Sequence, residues 1–252
     1  MDMSGTLTVK NVNGKTKFQP SIQVITGGII GVSKISGERI LNEIQNSFYN
    51  HNDVKAIFQL EDNRLKMKAI PQATLENAIR NHNTDIRSLA YAYYLAINSS
   101  TSHYVDMTFT YETLNNRSIT ALPSFHLSPN SKGLEIDKQA GGGVNTSYLG
   151  GTLTVVVMDS KADIGDFTYA PNGVQYPRHS TPAELLAHEL LGHGYGRIIG
   201  SSTYRHEDAI RMSNLYWRAR GYHNFYRNAS SHGTGFLLTK ASANQIPTHF
   251  QK

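Results

Sequence analysis

The sequence predicts an α+β fold: a twisted, mostly antiparallel sheet, a helix that carries the chemistry, and a following helix that completes it. Three observations point there. Stretches with two-residue alternation, such as Val105, Met107, Phe109 and Tyr111, are interleaved with stretches of helical period, such as Ile86, Leu89, Ala90, Tyr93 and Ile97. The strongest strand pattern, residues 152–158, precedes a well-marked helix start at Thr181. A further helical stretch, from about residue 204 to 220, follows that helix.

Residues 1–34 mix short alternating segments with polar and Gly-rich turns and are expected to form an N-terminal arm or small hairpin; residues 35–252 are expected to form a single domain. Ser36 is placed to cap a helix with Ile40, Leu41, Ile44 and Phe48 on one face. Residues 54–60 and 65–70 flank Glu61-Asp62-Asn63-Arg64 and predict a hairpin. A helix is expected over 84–97, and Val105 to Tyr111 alternate as a half-buried strand does. Residues 128–150 are polar and glycine-rich, which predicts a loop or lid. Residues 163–178 form a polar connection rich in Gly, Pro and Tyr. Then Thr181 stands as N-cap, Pro182 suits the first helical position, and Glu184 completes a capping box. Leu185, Leu186, Leu190 and Leu191 supply the buried side of that helix, and Gly194-Tyr195-Gly196 is expected to end or loosen it.

Composition sets the bounds. A chain of 252 residues with 39% hydrophobic and 10% aromatic residues can bury a full core. It has no cysteine, so a metal must rest on histidines and carboxylates. The 24 basic and 19 acidic residues give a formal charge of +5, yet the basic residues are scattered, so no nucleic-acid partner is expected. The first residues lack the pattern of a cleaved signal, and the apolar stretch at 24–32 is too short to cross a bilayer. A soluble protein without a membrane span is the expectation. Export would need a route independent of a signal peptide.

The chemistry concentrates in His188-Glu189-Leu190-Leu191-Gly192-His193. Neutral imidazoles are the usual ligands of catalytic zinc, and a glutamate beside one can take a proton from an activated water. The histidines are five positions apart rather than the familiar four. On a regular helix five positions rotate the second histidine roughly 140° from the first. One wide π-type turn restores them to one face, and Gly192 can absorb the distortion. A catalytic zinc takes a third protein ligand. The helix at 204–220 offers Asp208 and Glu207 about equally, and His206 after them. Tyr226, Arg227, His223, Tyr204 and His232 are the candidates to stabilise an oxyanion.

The hexapeptide resembles the zinc-binding signature of the dipeptidyl peptidase III family. There the first and last residues hold zinc and the glutamate is the general base, which implies those roles for His188, His193 and Glu189. The resemblance spans six residues; the family's second motif, of the Glu-Glu-x-x-Ala-Asp/Glu type, is not in this chain. A wider and fainter likeness runs from His188 to about Gly235. It is similar to small metallopeptidase domains of bacterial effectors and polymorphic toxins, through His206-Glu207-Asp208-Ala209-Ile210, Asn214, Arg218, Gly221 and Asn224-Phe225-Tyr226-Arg227. Together these imply a zincin-like metalloprotease fold, in which the strand just before the zinc helix forms the edge that pairs with substrate. They imply a zinc-dependent endopeptidase, a bacterial toxin or secreted effector acting on a protein or peptide substrate, with an immunity or chaperone protein as partner. Two alternatives stay open: a non-catalytic zinc-binding or interaction domain, and a metal-dependent hydrolase of a non-peptide substrate.

Overall fold

The structure is a computed structural model that describes residues 3–12, 15–24, 27–67, 72–108, 142–158, 167–176, 178–201, 206–230 and 237–252. Several expectations lie outside them: Phe109 and Tyr111, the loop over 128–141, Tyr204, and His232. The chain is mixed α+β. Strands β1 (Met3–Val12) and β2 (Lys15–Val24) pair antiparallel as a two-stranded ribbon. Strand β3 (Gly28–Gly31) was grouped by sequence with the N-terminal arm, but it is hydrogen-bonded into a six-stranded sheet.

That sheet runs β4-β5-β3-β6-β8-β7. Its members are β4 (Phe58–Glu61), β5 (Arg64–Met67), β6 (Ser102–Thr108), β7 (Gly143–Tyr148) and β8 (Gly151–Val157), with β3. The pairings β3–β6 and β6–β8 are parallel; every other pairing among the described residues is antiparallel. Parallel central strands are covered on both faces, and this decides how they look in sequence. Every residue of β8 is buried. In β6 the alternating polar residues Asp106 and Thr108 are buried with Val105 and Met107, so the strand is not half-exposed as its alternation predicts.

Helix α1 (Lys34–Ser47) begins one turn earlier than expected. Ser33 caps it by accepting from the Ser36 amide at 3.1 Å, while the Ser36 hydroxyl donates to Asp106 at 3.2 Å. A short helix, α2 (Asn52–Lys55), occupies the start of the expected first hairpin strand. The β4–β5 turn places Asp62 and Asn63 at φ 45° and 63°, the two-positive-φ geometry that two-residue hairpins prefer. After α3 (Gln72–Ile79), helix α4 (Thr84–Ile97) occupies its predicted span behind an Asn83 cap. Phe48, Phe58 and Tyr93 meet as an aromatic cluster in the main core. That core also takes Ile29, Val105, Met107 and Val156 from one sheet face. Tyr148, Leu153 and Val155 form a second cluster on the other. No described helix is long and apolar enough to cross a membrane.

The described part of the expected glycine-rich loop is not irregular. Its last part is β7, antiparallel to β8, so β8 is interior and β7 is the outer strand on that side. This differs from the placement implied by resemblance, in which residues 152–158 form the edge. A three-stranded sheet, β10-β9-β11, stands apart from the large one. It consists of β9 (Phe167–Tyr169), β10 (Val174–Gln175) and β11 (Phe225–Arg227), and Phe167 stacks on Phe225 at 5.0 Å.

Candidate metal centre

The helix bearing the hexapeptide, here the site helix, starts as its sequence dictates. Thr181 accepts from the Glu184 amide at 3.2 Å and Pro182 occupies the first turn. The first segment, Pro182–Leu186, is α-helical. Ala187–Tyr195 is then π-helical over 9 residues, wider than the single turn that the spacing requires. The two histidines meet on one face, with ring centroids 5.1 Å apart at 75°. The helix does not end at Gly194-Tyr195-Gly196; it resumes as an α turn over Gly196–Ile198 and breaks at Gly200, where φ is 72°.

Gly192 has a different use from the one its sequence context suggests. A Cβ there would sit 2.3 Å from the Ala209 Cα, so the missing side chain lets the helix Glu207–Ala219, here the return helix, lie directly against the π segment. Gly143 on β7 has a similar role. A Cβ there would come within 2.8 Å of the Glu189 Cγ, so the strand can pass close beside the glutamate.

His188, Glu189 and His193 form a group able to hold a metal ion: one ligand atom from each lies within 4.8 Å of the others. His188 and Glu189 are buried and His193 is half-buried. Burial pushes the Glu189 carboxyl up to about 8; neighbouring Glu184 adds to the shift and Arg227 opposes it. A carboxyl titrating near neutrality is suited to take and return a proton.

Behind His188 lies a buried polar cluster drawn from three elements. The His188 Nδ1 is 2.9 Å from the Ser213 Oγ on the return helix. The Ser213 hydroxyl donates to the Glu184 Oε1, one turn before His188 on the site helix. The Arg227 Nη1, from β11, donates to the same Glu184 oxygen at 3.0 Å and to the Ser213 Oγ at 3.2 Å. Asn214 fixes β11 at that point: its Oδ1 accepts from the Arg227 amide at 2.7 Å and its Nδ2 donates to the Arg227 carbonyl at 3.0 Å.

The expected site residues separate into two groups. Arg227 is brought in, and its Nη1 is paired with Glu184 in the interior. Tyr226, next along β11, faces the other way and packs against Ile210, Ala229, Leu238 and Ala243. Asp208 accepts from the Ser201 hydroxyl at 2.6 Å and faces Arg211 at 3.4 Å; Glu207 pairs with the same arginine at 2.9 Å. The His206 ring meets the His193 ring edge-on at 6.2 Å. His223 is exposed and lies 3.9 Å from Asp85.

Sequence reasoning missed Glu184 and Ser213. Glu184 fitted a capping box, in which its side chain would reach back to the Thr181 amide; instead it is fully buried. The available signal was its place four residues before His188, on the same helical face. Ser213 carried no local signal. Set against known proteins, the chain matches no family model, no curated protein and no solved structure.

Proposed function

We propose that this chain is a zinc-dependent endopeptidase of the zincin kind, with His188 and His193 as metal ligands and Glu189 as general base. The observation that carries the reading is the convergence of two imidazoles and a carboxylate on one face of a π-helical segment. The ligands fit the ion: neutral imidazole is a normal zinc ligand, and no thiolate competes because the chain lacks cysteine. The candidates for the third ligand are Asp208 and Glu207, engaged by Ser201 and Arg211, and His206, whose ring meets that of His193 edge-on but which does not join the ligand group of His188, Glu189 and His193.

Zinc, when bound, would polarise the scissile carbonyl and make a water acidic enough to attack it. Glu189 then takes the proton from the attacking water and delivers it to the leaving amine. Its buried setting, with β7 packed close beside it at Gly143, limits the access of bulk water to that proton. Neither Tyr226 nor Arg227 is assigned as oxyanion donor, given their packing. The toxin or effector setting, with a protein substrate and an immunity or chaperone partner, is supported by the likeness of the segment from His206 to Arg227.

Zinc-loaded wild-type protein should cleave an unfolded protein substrate, and Glu189→Gln should keep the metal while losing at least 100-fold in rate, the order expected for removing a general base. Undiminished cleavage by that variant would remove Glu189 from the mechanism.

A further inference from the structure

We propose that Ser213 and Glu184 are positioning residues that fix His188 as its Nδ1–H tautomer, so that Nε2 is the atom directed to the metal. The inference deepens the metal reading above and rests on it. It follows from counting protons in the buried cluster. A serine hydroxyl has one proton to give and can accept two hydrogen bonds. The Ser213 proton is directed to the Glu184 Oε1. Arg227 can only donate, so its 3.2 Å contact uses one acceptor position of the Ser213 oxygen. The 2.9 Å contact between the Ser213 Oγ and the His188 Nδ1 must then be donated by His188.

The Arg227 Nη1 also stands 3.5 Å from the His188 Nδ1. The two protons of that nitrogen are met at shorter range by the Glu184 Oε1 at 3.0 Å and the Ser213 Oγ at 3.2 Å. The Glu184 side chain is fully enclosed and ion-paired with Arg227, so the orientation passed through Ser213 has a rigid base. Such outer partners hold a ligating imidazole in one tautomer and one plane. The arrangement uses the same helical face twice: Glu184 and His188 are four residues apart on the site helix, and Ser213 reaches between them from the return helix.

Two measurements test this. Long-range ¹H–¹⁵N spectra of the metal-free full chain at pH 8 report the His188 tautomer in the wild-type protein, and His188→Gln serves only to assign the signal. The Nδ1–H form is expected, and the Nε2–H form would overturn the proposal. Zinc affinity is then measured by competition with a chromogenic chelator, using zinc alone as probe, for wild type and Ser213→Ala. The variant should bind 10- to 100-fold more weakly, the usual effect of losing an outer partner, and its His188 should lose the single-tautomer signature. Equal affinity with an unchanged tautomer would overturn the assignment. Failure of wild type to take up zinc would overturn the metal reading itself, a result separate from the tautomer spectrum.

Discussion

The return helix carries polar residues at two places less than two turns apart, and they behave differently. At its start, Glu207 and Asp208 meet Arg211, with the Glu207 side chain 36% exposed. Further along, Ser213 is enclosed between His188, Glu184 and Arg227. The first place has the residue types that attract attention in a sequence, two adjacent carboxylates after a histidine. The second has only a serine, yet it is the one in contact with His188. Water screens the partly exposed Glu207–Arg211 pair, while a buried polar group has no such fallback and must be matched by its neighbours. Burial, more than residue type, separates Glu207 from Ser213, while Asp208 is buried and held by Ser201 and Arg211.

That contrast can be broken by mutation, and the largest effect should come from the enclosed pair. Glu184→Ala leaves the Arg227 charge buried without its partner and should destabilise the protein by about 3–5 kcal/mol in denaturant unfolding. A loss below about 1 kcal/mol would mean that the cluster is wet and loosely held. Next comes Gly192→Ala. Its methyl would press on the Ala209 backbone, with an expected loss of about 1–3 kcal/mol and a weaker contact between the two helices. Zinc affinity should fall with it, because Ser213 and His206 both stand on the displaced side.

A pH effect sharpens the comparison further. The metal-free folded protein keeps Glu189 protonated up to about 8, whereas the unfolded chain ionises it near 4.5. The unfolded state therefore binds fewer protons between those values, and stability falls as pH rises through that window. His103 acts oppositely: burial lowers it to about 4, so it adds stability as pH rises from 4 to 6.5. The two offset each other below pH 6.5. From pH 6.5 to 8 metal-free stability should decline by about 1.4 kcal/mol per pH unit. Zinc should flatten that slope by favouring the ionised carboxylate. A flat profile without metal would show that Glu189 is solvated. The smallest effect belongs to the partly exposed pair, since Glu207→Ala should change stability by only about 0.3–0.5 kcal/mol.

Much of the site helix was legible in the sequence because its signals are local. The Thr181 cap, Pro182, and the five-residue spacing that calls for a π turn all act within one element. The helix over 84–97 and the turn at Asp62-Asn63 were readable for the same reason. What escaped depends on distant partners. Strand β7 looked like a loop because Gly143 is needed where the strand passes Glu189. Strand β3 looked like part of an arm because its pairing partner, β6, lies some seventy residues away. Glu184 satisfied a local capping pattern, while its side chain answers to Arg227 on another sheet. The third ligand was divided among the adjacent residues Asp208, Glu207 and His206, whose different surroundings depend on contacts with other elements.

The most direct test is zinc per chain, by elemental analysis of purified protein without added metal, for wild type, His193→Ala and Glu189→Gln. The account predicts close to one equivalent in wild type, little in His193→Ala, and near-wild-type content in Glu189→Gln. A wild-type protein that holds no zinc and takes up none on titration would contradict it, and so would a full equivalent retained in His193→Ala.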